Sequence, residues 1–305
     1  MRIVFMGTPE FAVPSLKALL AENDVVAVVT QPDRRQGRGQ KFAYSPVKEE
    51  ALRHGLTILQ PERIGEPDVV DRLKGFQADL FVVVAFGQKI PDELLATPRL
   101  GCINVHSSLL PKYRGAAPIN AAIVNGDRVT GVTTMYMASG WDNGDIILQA
   151  TEEIRPRDTA GELHDRLMLK GAELLAETVR QIARGEAPRI PQDHDQATFA
   201  FKLAKTDALV DFRQPAIQLD QLIRGMNPWP LAYTVVGGEV VKIHEALPYD
   251  ADGSPGEILG FVDEGLLVGC GKGSLLLQKV QRPNAKAVSG VDFANGLRLR
   301  EGDVL

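Results

Sequence analysis

The sequence predicts an α/β chain. A doubly wound, mainly parallel sheet fills the first ~185 residues, and a small β-barrel follows. Three observations carry this. Short β-branched runs alternate with helical patterns through the first part, as in a sheet covered by helices on both faces. The text then turns polar and irregular from Ala187 to about Phe212. Beyond it, short alternating strands are separated by Gly-rich turns.

Each element has a local reason. Residues 2–7 (RIVFMG), 24–31 (DVVAVVTQ), 56–61 (LTILQP), 78–87 (ADLFVVVAFG), 101–106 (GCINVH), 131–137 (GVTTMYM) and 145–153 (DIILQATEE) read as strands. The sheet is expected to become mixed toward its end. Residues 14–22 and 118–125 read as helices, the second with proline near its first position. A longer helix starts at Thr159, an N-cap candidate with Glu162 three residues on. Leu163, Leu167, Leu174, Val179 and Ile182 give it an apolar stripe, and Gly185 can end it. A short helix around 216–226 leads into the barrel strands within 233–246, 256–270 and 273–281. The expected domains are 1–186 and 209–305, joined by a linker at 187–208.

With 305 residues the chain can hold two domains of roughly 100–200 residues each. Its 44% hydrophobic and 24% charged content is that of an ordinary globular protein. No apolar run approaches the ~20 residues of a membrane span, and the N-terminus enters a strand with no apolar signal region. A cytoplasmic protein with no membrane partner is expected. Cys102 and Cys270 suit neither a metal cluster nor a disulfide framework. A net charge of −5 argues against bulk nucleic-acid binding and leaves local basic patches open.

Gly7 closes the first strand where a dinucleotide fold carries G-x-G-x-x-G. No partner glycine follows, and Pro9 with Glu10 would crowd a pyrophosphate. A Rossmann-like fold without a nicotinamide cofactor is therefore expected. Asn104 and His106 are two residues apart on a strand, so they share a face. One reading is a polar pair satisfied in a core. The other is chemistry, because the pair ends a strand expected to be parallel, where open α/β sheets bind ligands. A second polar loop, SGWDNGD at 139–145, carries Asp142 in a glycine-flanked turn. Asn, His and Asp on neighbouring loop ends can stabilise an oxyanion and move protons. Residue types alone leave both readings open.

No nucleophile stands out. Ser107 and Ser108 lack the G-x-S-x-G elbow, and Cys102 has no activating neighbour. Direct transfer to an incoming nucleophile is favoured over a covalent enzyme intermediate. His54, His164, His194 and His244 stand alone in sequence, so no metal is expected. Residues 31–48 hold Arg34, Arg35, Arg38, Lys41 and Lys48, with no acid after Asp33. Gly37 and Gly39 loosen the segment, and Phe42 and Tyr44 add stacking surface. It reads either as a solvated loop or as a basic arm for a phosphate backbone. A second basic island comprises Lys272, Lys279, Arg282, Lys286, Arg298 and Arg300.

The stretch NVHSSLLPKYRGAAPI resembles the signature of the folate-dependent formyltransferases. FMGTPEFA, TQPDRRQGRG and NPWP narrow the resemblance to the branch that formylates methionine on initiator methionyl-tRNA. The similarity runs from the first strand to LREGDVL. It implies that Asn104, His106 and Asp142 are catalytic. It also implies 10-formyltetrahydrofolate along Ser108, Leu109, Leu110 and Pro111 and along Phe86, Gly87 and Ile90. The loop with Arg34, Arg35, Arg38 and Lys41 would enter the acceptor end of the tRNA, with Arg38 at the position of the family's loop arginine. The C-terminal half would be an OB-like barrel holding the tRNA from the other side, and the enzyme would be a monomer without metal. One motif departs: the aspartate loop reads GWDNGD where the family has close to GLDTGD, so Trp141 and Asn143 alter its packing.

The implied reaction is attack of the methionine amine on the formyl carbon, with Asn104 and protonated His106 meeting the oxyanion and Asp142 supporting His106. The runner-up is a folate-dependent formyltransferase for a nucleotide-linked amino sugar or glycinamide ribonucleotide. Glycinamide enzymes are shorter and lack the barrel, and the basic 31–48 loop separates the amino-sugar enzymes from the tRNA enzyme. From another class, a non-catalytic RNA-binding protein on this scaffold is disfavoured by intact Asn104, His106 and Asp142.

Overall fold

The apolar runs of the first half become one seven-stranded sheet in the computed structural model, which describes residues 1–36 and 41–305. β1 (Arg2–Gly7) passes through α1 (Val13–Glu22) to β2 (Asp24–Val29). A short ladder of β3 (Arg34–Gln36) with β4 (Lys41–Ala43), then α2 (Pro46–Arg53), precede β5 (Ile58–Leu59). Next come α3 (Pro67–Gly75), β6 (Leu80–Val84), α4 (Asp92–Leu95) and β7 (Cys102–His106). The run closes with β8 (Arg114–Gly115), α5 (Pro118–Val124), β9 (Val129–Tyr136), β10 (Ile146–Glu153) and α6 (Ala160–Arg184).

The strand order is β10-β9-β7-β6-β1-β2-β5. The five strands from β5 to β7 are parallel, and β9 and β10 add antiparallel. This is the expected doubly wound sheet, mixed at its end. Winding reverses between β1 and β6, so the switch point lies at their carboxyl ends. Phe5, Phe81 and Ile103 are fully buried, as strands covered on both faces require. Gly7 serves packing, since a Cβ there would stand 2.8 Å from the Phe5 ring and 3.0 Å from the Val84 carbonyl. At α6 the capping box forms as read: the Glu162 carboxylate accepts the Thr159 N–H at 2.9 Å, and the Thr159 hydroxyl accepts the Glu162 N–H at 3.3 Å.

Contacts divide the chain into two compact units. The first is Met1–Gly115, Val129–Glu153 and His164–Phe199; the second is Ala116–Arg128, Ile154–Leu163 and Ala200–Leu305. The remaining elements are β11 (Phe199–Ala200), α7 (Ala216–Gly225), β12 (Ala232–Val236), β13 (Glu239–Tyr249), β14 (Ile258–Val262), β15 (Gly265–Gly269), β16 (Ser274–Gln281), β17 (Val288–Ser289) and α8 (Gly290–Leu297). β12 to β17 form an antiparallel sheet in the order β12-β13-β16-β15-β14, with β17 on β16. It is the OB-like barrel in open form: among the described residues no ladder joins β12 to β14. Leu219 and Ile223 of α7 and Phe293 of α8 share its core, so the sheet wraps over helices rather than over itself. Helix α5 groups here because the Asn120 amide donates to the Gly225 carbonyl at 2.7 Å. A Cβ on Gly225 would sit 2.5 Å from Val124.

Two carboxylates make the first unit acid-sensitive. Burial raises the pKa of Glu50, but Arg53, His54 and Lys17 outweigh it and hold the group below its ordinary 4.5. Burial likewise raises Glu152, and Arg166 and Lys170 outweigh it, with the same net lowering from 4.5. The unfolded chain thus binds more protons in acid, so this stability is complete only well above the unfolded value of 4.5 and is lost as pH falls through the lowered folded values. The thermal midpoint should be level above about pH 6 and drop below about pH 4.5, and Glu152→Gln should shallow the drop. An equal drop in that variant would remove Glu152 from the explanation.

Candidate active site

β7 carries two polar side chains into the middle of the sheet. Asn104 is in register with Val83 of β6 and Met135 of β9, and His106 with Thr133 of β9. They are 9% and 6% exposed. The His106 Nε2 lies 2.9 Å from the Tyr113 carbonyl oxygen. A carbonyl only accepts, so Nε2 carries a hydrogen. Nδ1 faces the Asp142 Oδ2 at 3.7 Å, beyond a hydrogen bond. The Asn104 carboxamide has no hydrogen-bond partner among the described residues, so its N–H groups are available to a ligand.

Asp142 is held from several sides. Its Oδ2 accepts the Gly115 N–H at 2.8 Å. Its φ of +44° is left-handed, an uncommon state for a residue with a Cβ. The Gln192 Nε2 donates to the carbonyls of Asp142 at 2.8 Å and Gly144 at 2.7 Å. Arg114 in turn donates from Nε at 3.0 Å and Nη2 at 2.7 Å to the Gln192 Oε1. Burial lowers the pKa of the Arg114 guanidinium, and the Asp142 carboxylate pulls it back up. Sequence reasoning missed both supports: it does not single out Arg114, and Gln192 falls in the expected linker. No local signal marks either.

The segment expected to meet folate is tied internally. The Ser108 hydroxyl donates to the Lys112 carbonyl at 2.6 Å, and the Thr133 hydroxyl donates to the Ser108 carbonyl at 2.7 Å. The Thr133 hydroxyl also accepts the Leu110 N–H at 3.1 Å. Ser108 and Leu110 are buried, whereas Leu109 and Pro111 remain half-exposed. Phe86 and Ile90 point into the core, and Gly87 is exposed at φ +88°. The Phe86 carbonyl accepts from the Thr8 hydroxyl at 3.0 Å and the Gln31 amide at 3.2 Å. A cavity of about 360 Å³ opens here, lined by Thr8, Gln31, Arg34, Ser45, Phe86 and Gly87 among others. It lies at the switch point, but Asn104, His106 and Asp142 are not in its wall.

Of the basic loop, Arg34 is exposed at the cavity rim. Arg35 pairs with Phe42, and Gln36 with Lys41, along the β3–β4 backbone. Arg38 lies outside the described residues. Lys48 belongs to α2 rather than to a loop; its ammonium pairs with Asp33 and lies 4.0 Å over the Tyr44 ring. In the second island, Lys279 pairs with Glu245 at 3.1 Å and Arg282 with Glu239 at 2.8 Å. Burial pushes the Cys102 thiol far up, which fits no nucleophilic role. Among the described residues no group of three His, Cys, Asp or Glu can hold a metal, and no helix is long and apolar enough to cross a membrane.

Comparison with known proteins covers the whole chain. A family model for formyl transferase matches residues 1–179, and one for the formyl transferase C-terminal domain matches 202–298. A methionyl-tRNA formyltransferase of Acetivibrio thermocellus is 46% identical over 309 residues, covering 100% of this chain and 99% of that protein. One from Geobacter metallireducens is 46% identical over 98% of this chain and 97% of its own. Among solved structures, a sugar 3N-formyl transferase with dTDP and 5-N-formyl-THF superposes with a TM-score of 0.70 at 20% identity. That match covers 94% of this chain and 99% of the other, and at such identity it speaks for the fold.

Proposed function

The chain belongs to the formyl transferase family, and on that premise we propose that it formylates the free amino group of methionine on initiator methionyl-tRNA. The observation that carries the acceptor is the match over both halves to proteins named for methionyl-tRNA. The donor is 10-formyltetrahydrofolate, which supplies a formyl group on nitrogen. The site suits it: the Asn104 carboxamide keeps its N–H groups without a partner among the described residues, and the backbone at Gly87 is exposed to a planar ring.

The chain's residues then divide the work. Asn104 donates an N–H to the formyl oxygen as negative charge grows there. His106 keeps Nε2–H on the Tyr113 carbonyl, so the Nδ1 edge is the one left to face that charge. Asp142 takes a proton from the attacking amine, directly or through water, and the formyl carbon's bond to the folate nitrogen then breaks, so that tetrahydrofolate leaves as an amine. Leu109, Pro111 and Gly87 border the donor; Ser108, Leu110, Phe86 and Ile90 shape its walls from within. Arg34, Arg35, Arg38 and Lys41 contact the acceptor stem, and residues 209–305 grip the tRNA beyond the 187–208 segment. The protein works as a monomer in the cytoplasm, where initiator tRNA is charged, and without a metal.

A labelled 10-formyltetrahydrofolate assay offering charged initiator tRNA beside an amino-sugar nucleotide tests this. Label should pass to the tRNA alone; transfer to the sugar would replace the reading. Arg38→Ala should reduce the preference for initiator over elongator methionyl-tRNA about tenfold, the weight of one charge-assisted contact. Its KM for the donor should not change, and an unaltered preference would remove the loop from recognition.

A further inference from the structure

We propose that Gln192 is a positioning residue that fixes the 137–145 loop and with it the Asp142 carboxylate. The inference rests on the reading of Asp142 as part of the transfer machinery. Gln192 is 6% exposed, and its amide is bonded on both ends. Its oxygen takes two N–H groups of Arg114, and its nitrogen supplies the carbonyls of Asp142 and Gly144. The guanidinium has only donors, so it dictates which end of the amide faces it, and the NH₂ is left for the loop. No other side chain of this size both accepts from a cation and donates to two carbonyls.

The loop leaves part of its own hydrogen bonding unmet. The Asn143 Oδ1 is buried without a partner, and its amide lies against Gly140. Gly144 is pressed on the Tyr136 carbonyl, and Asp142 sits at φ +44°. Two carbonyls converging on one point need a donor between them. Without it they turn toward water, Asp142 leaves its left-handed conformation, and its carboxylate withdraws from His106.

Gln192→Glu keeps volume and the Arg114 contact but places a carboxylate against both carbonyls. Gln192→Met keeps volume and removes both functions. In a Trp229→Phe background, Trp141 is the one tryptophan left and adjoins Asp142, so its time-resolved anisotropy reports loop motion. Both variants should lose about 100-fold in kcat, with KM for donor and acceptor within about twofold. Both should also show a larger fast depolarisation of Trp141. Anisotropy unchanged in a folded variant overturns the proposal, and so does a mobile Trp141 with normal kcat. If both variants fail to fold, Arg114→Lys, which can offer Oε1 a single donor, decides by the same two readings. If the unmodified chain formylates no methionyl-tRNA, the functional reading fails, while the anisotropy alone still decides whether Gln192 holds the loop.

Discussion

His106→Ala is expected to slow formyl transfer about 10³-fold while leaving tRNA affinity within about twofold. The side chain is buried at the end of β7, so its loss removes the ring that faces Asp142. Asp142→Ala should fall in the same range, because it removes the carboxylate that faces His106 Nδ1 and takes the proton of the attacking amine. Asp142→Asn still accepts the Gly115 N–H and so should keep the loop's shape, yet without the charge it should recover little activity. Single-turnover formylation with filter binding of the tRNA separates chemistry from affinity. Near-normal transfer by His106→Ala or Asp142→Ala would dismiss the triad.

Gly144→Ala should be nearly as damaging, for a steric reason. A Cβ there would lie 1.8 Å from the Tyr136 carbonyl oxygen, a backbone atom that cannot rotate away. Either β9 yields near its end or the loop lifts. Overpacking of this kind costs about 1–3 kcal/mol, a fall of several degrees in thermal midpoint. The larger loss is geometric, since moving Asp142 by about an ångström suffices for a 100-fold drop in transfer. A variant with the parent's midpoint and rate would show that the loop has slack it is not expected to have.

What the sequence disclosed follows the range of the forces involved. Strand runs, the Thr159–Glu162 cap and the shared face of Asn104 and His106 depend on neighbours two to four residues away, so periodicity reveals them. The partners of His106 are less legible. One is the Tyr113 carbonyl, a backbone group that every residue carries, and Arg114 and Gln192 meet only after the sheet has formed. Residues 31–48 read as loose because Gly37 and Gly39 sit among closely spaced cations. The Ser45–Pro46 pair marks a helix start there that charge counting passed over, and Ser45 indeed caps Lys48 at 3.1 Å. The barrel's strands were readable from their turns. Its open edge was not, because turn spacing says nothing about which helices fill the inside.

The return of residues 187–199 to the first unit bears on how the protein can be dissected. After α6 the chain runs back to the 137–145 loop before it enters the second unit. A fragment cut at residue 186 would keep Asn104, His106 and Asp142 and lose Gln192. A protease nick in this stretch would do the same without touching a reacting group. The shortest piece carrying a braced site ends no earlier than Phe199, and activity lost on trimming past that point would not by itself indict the missing barrel.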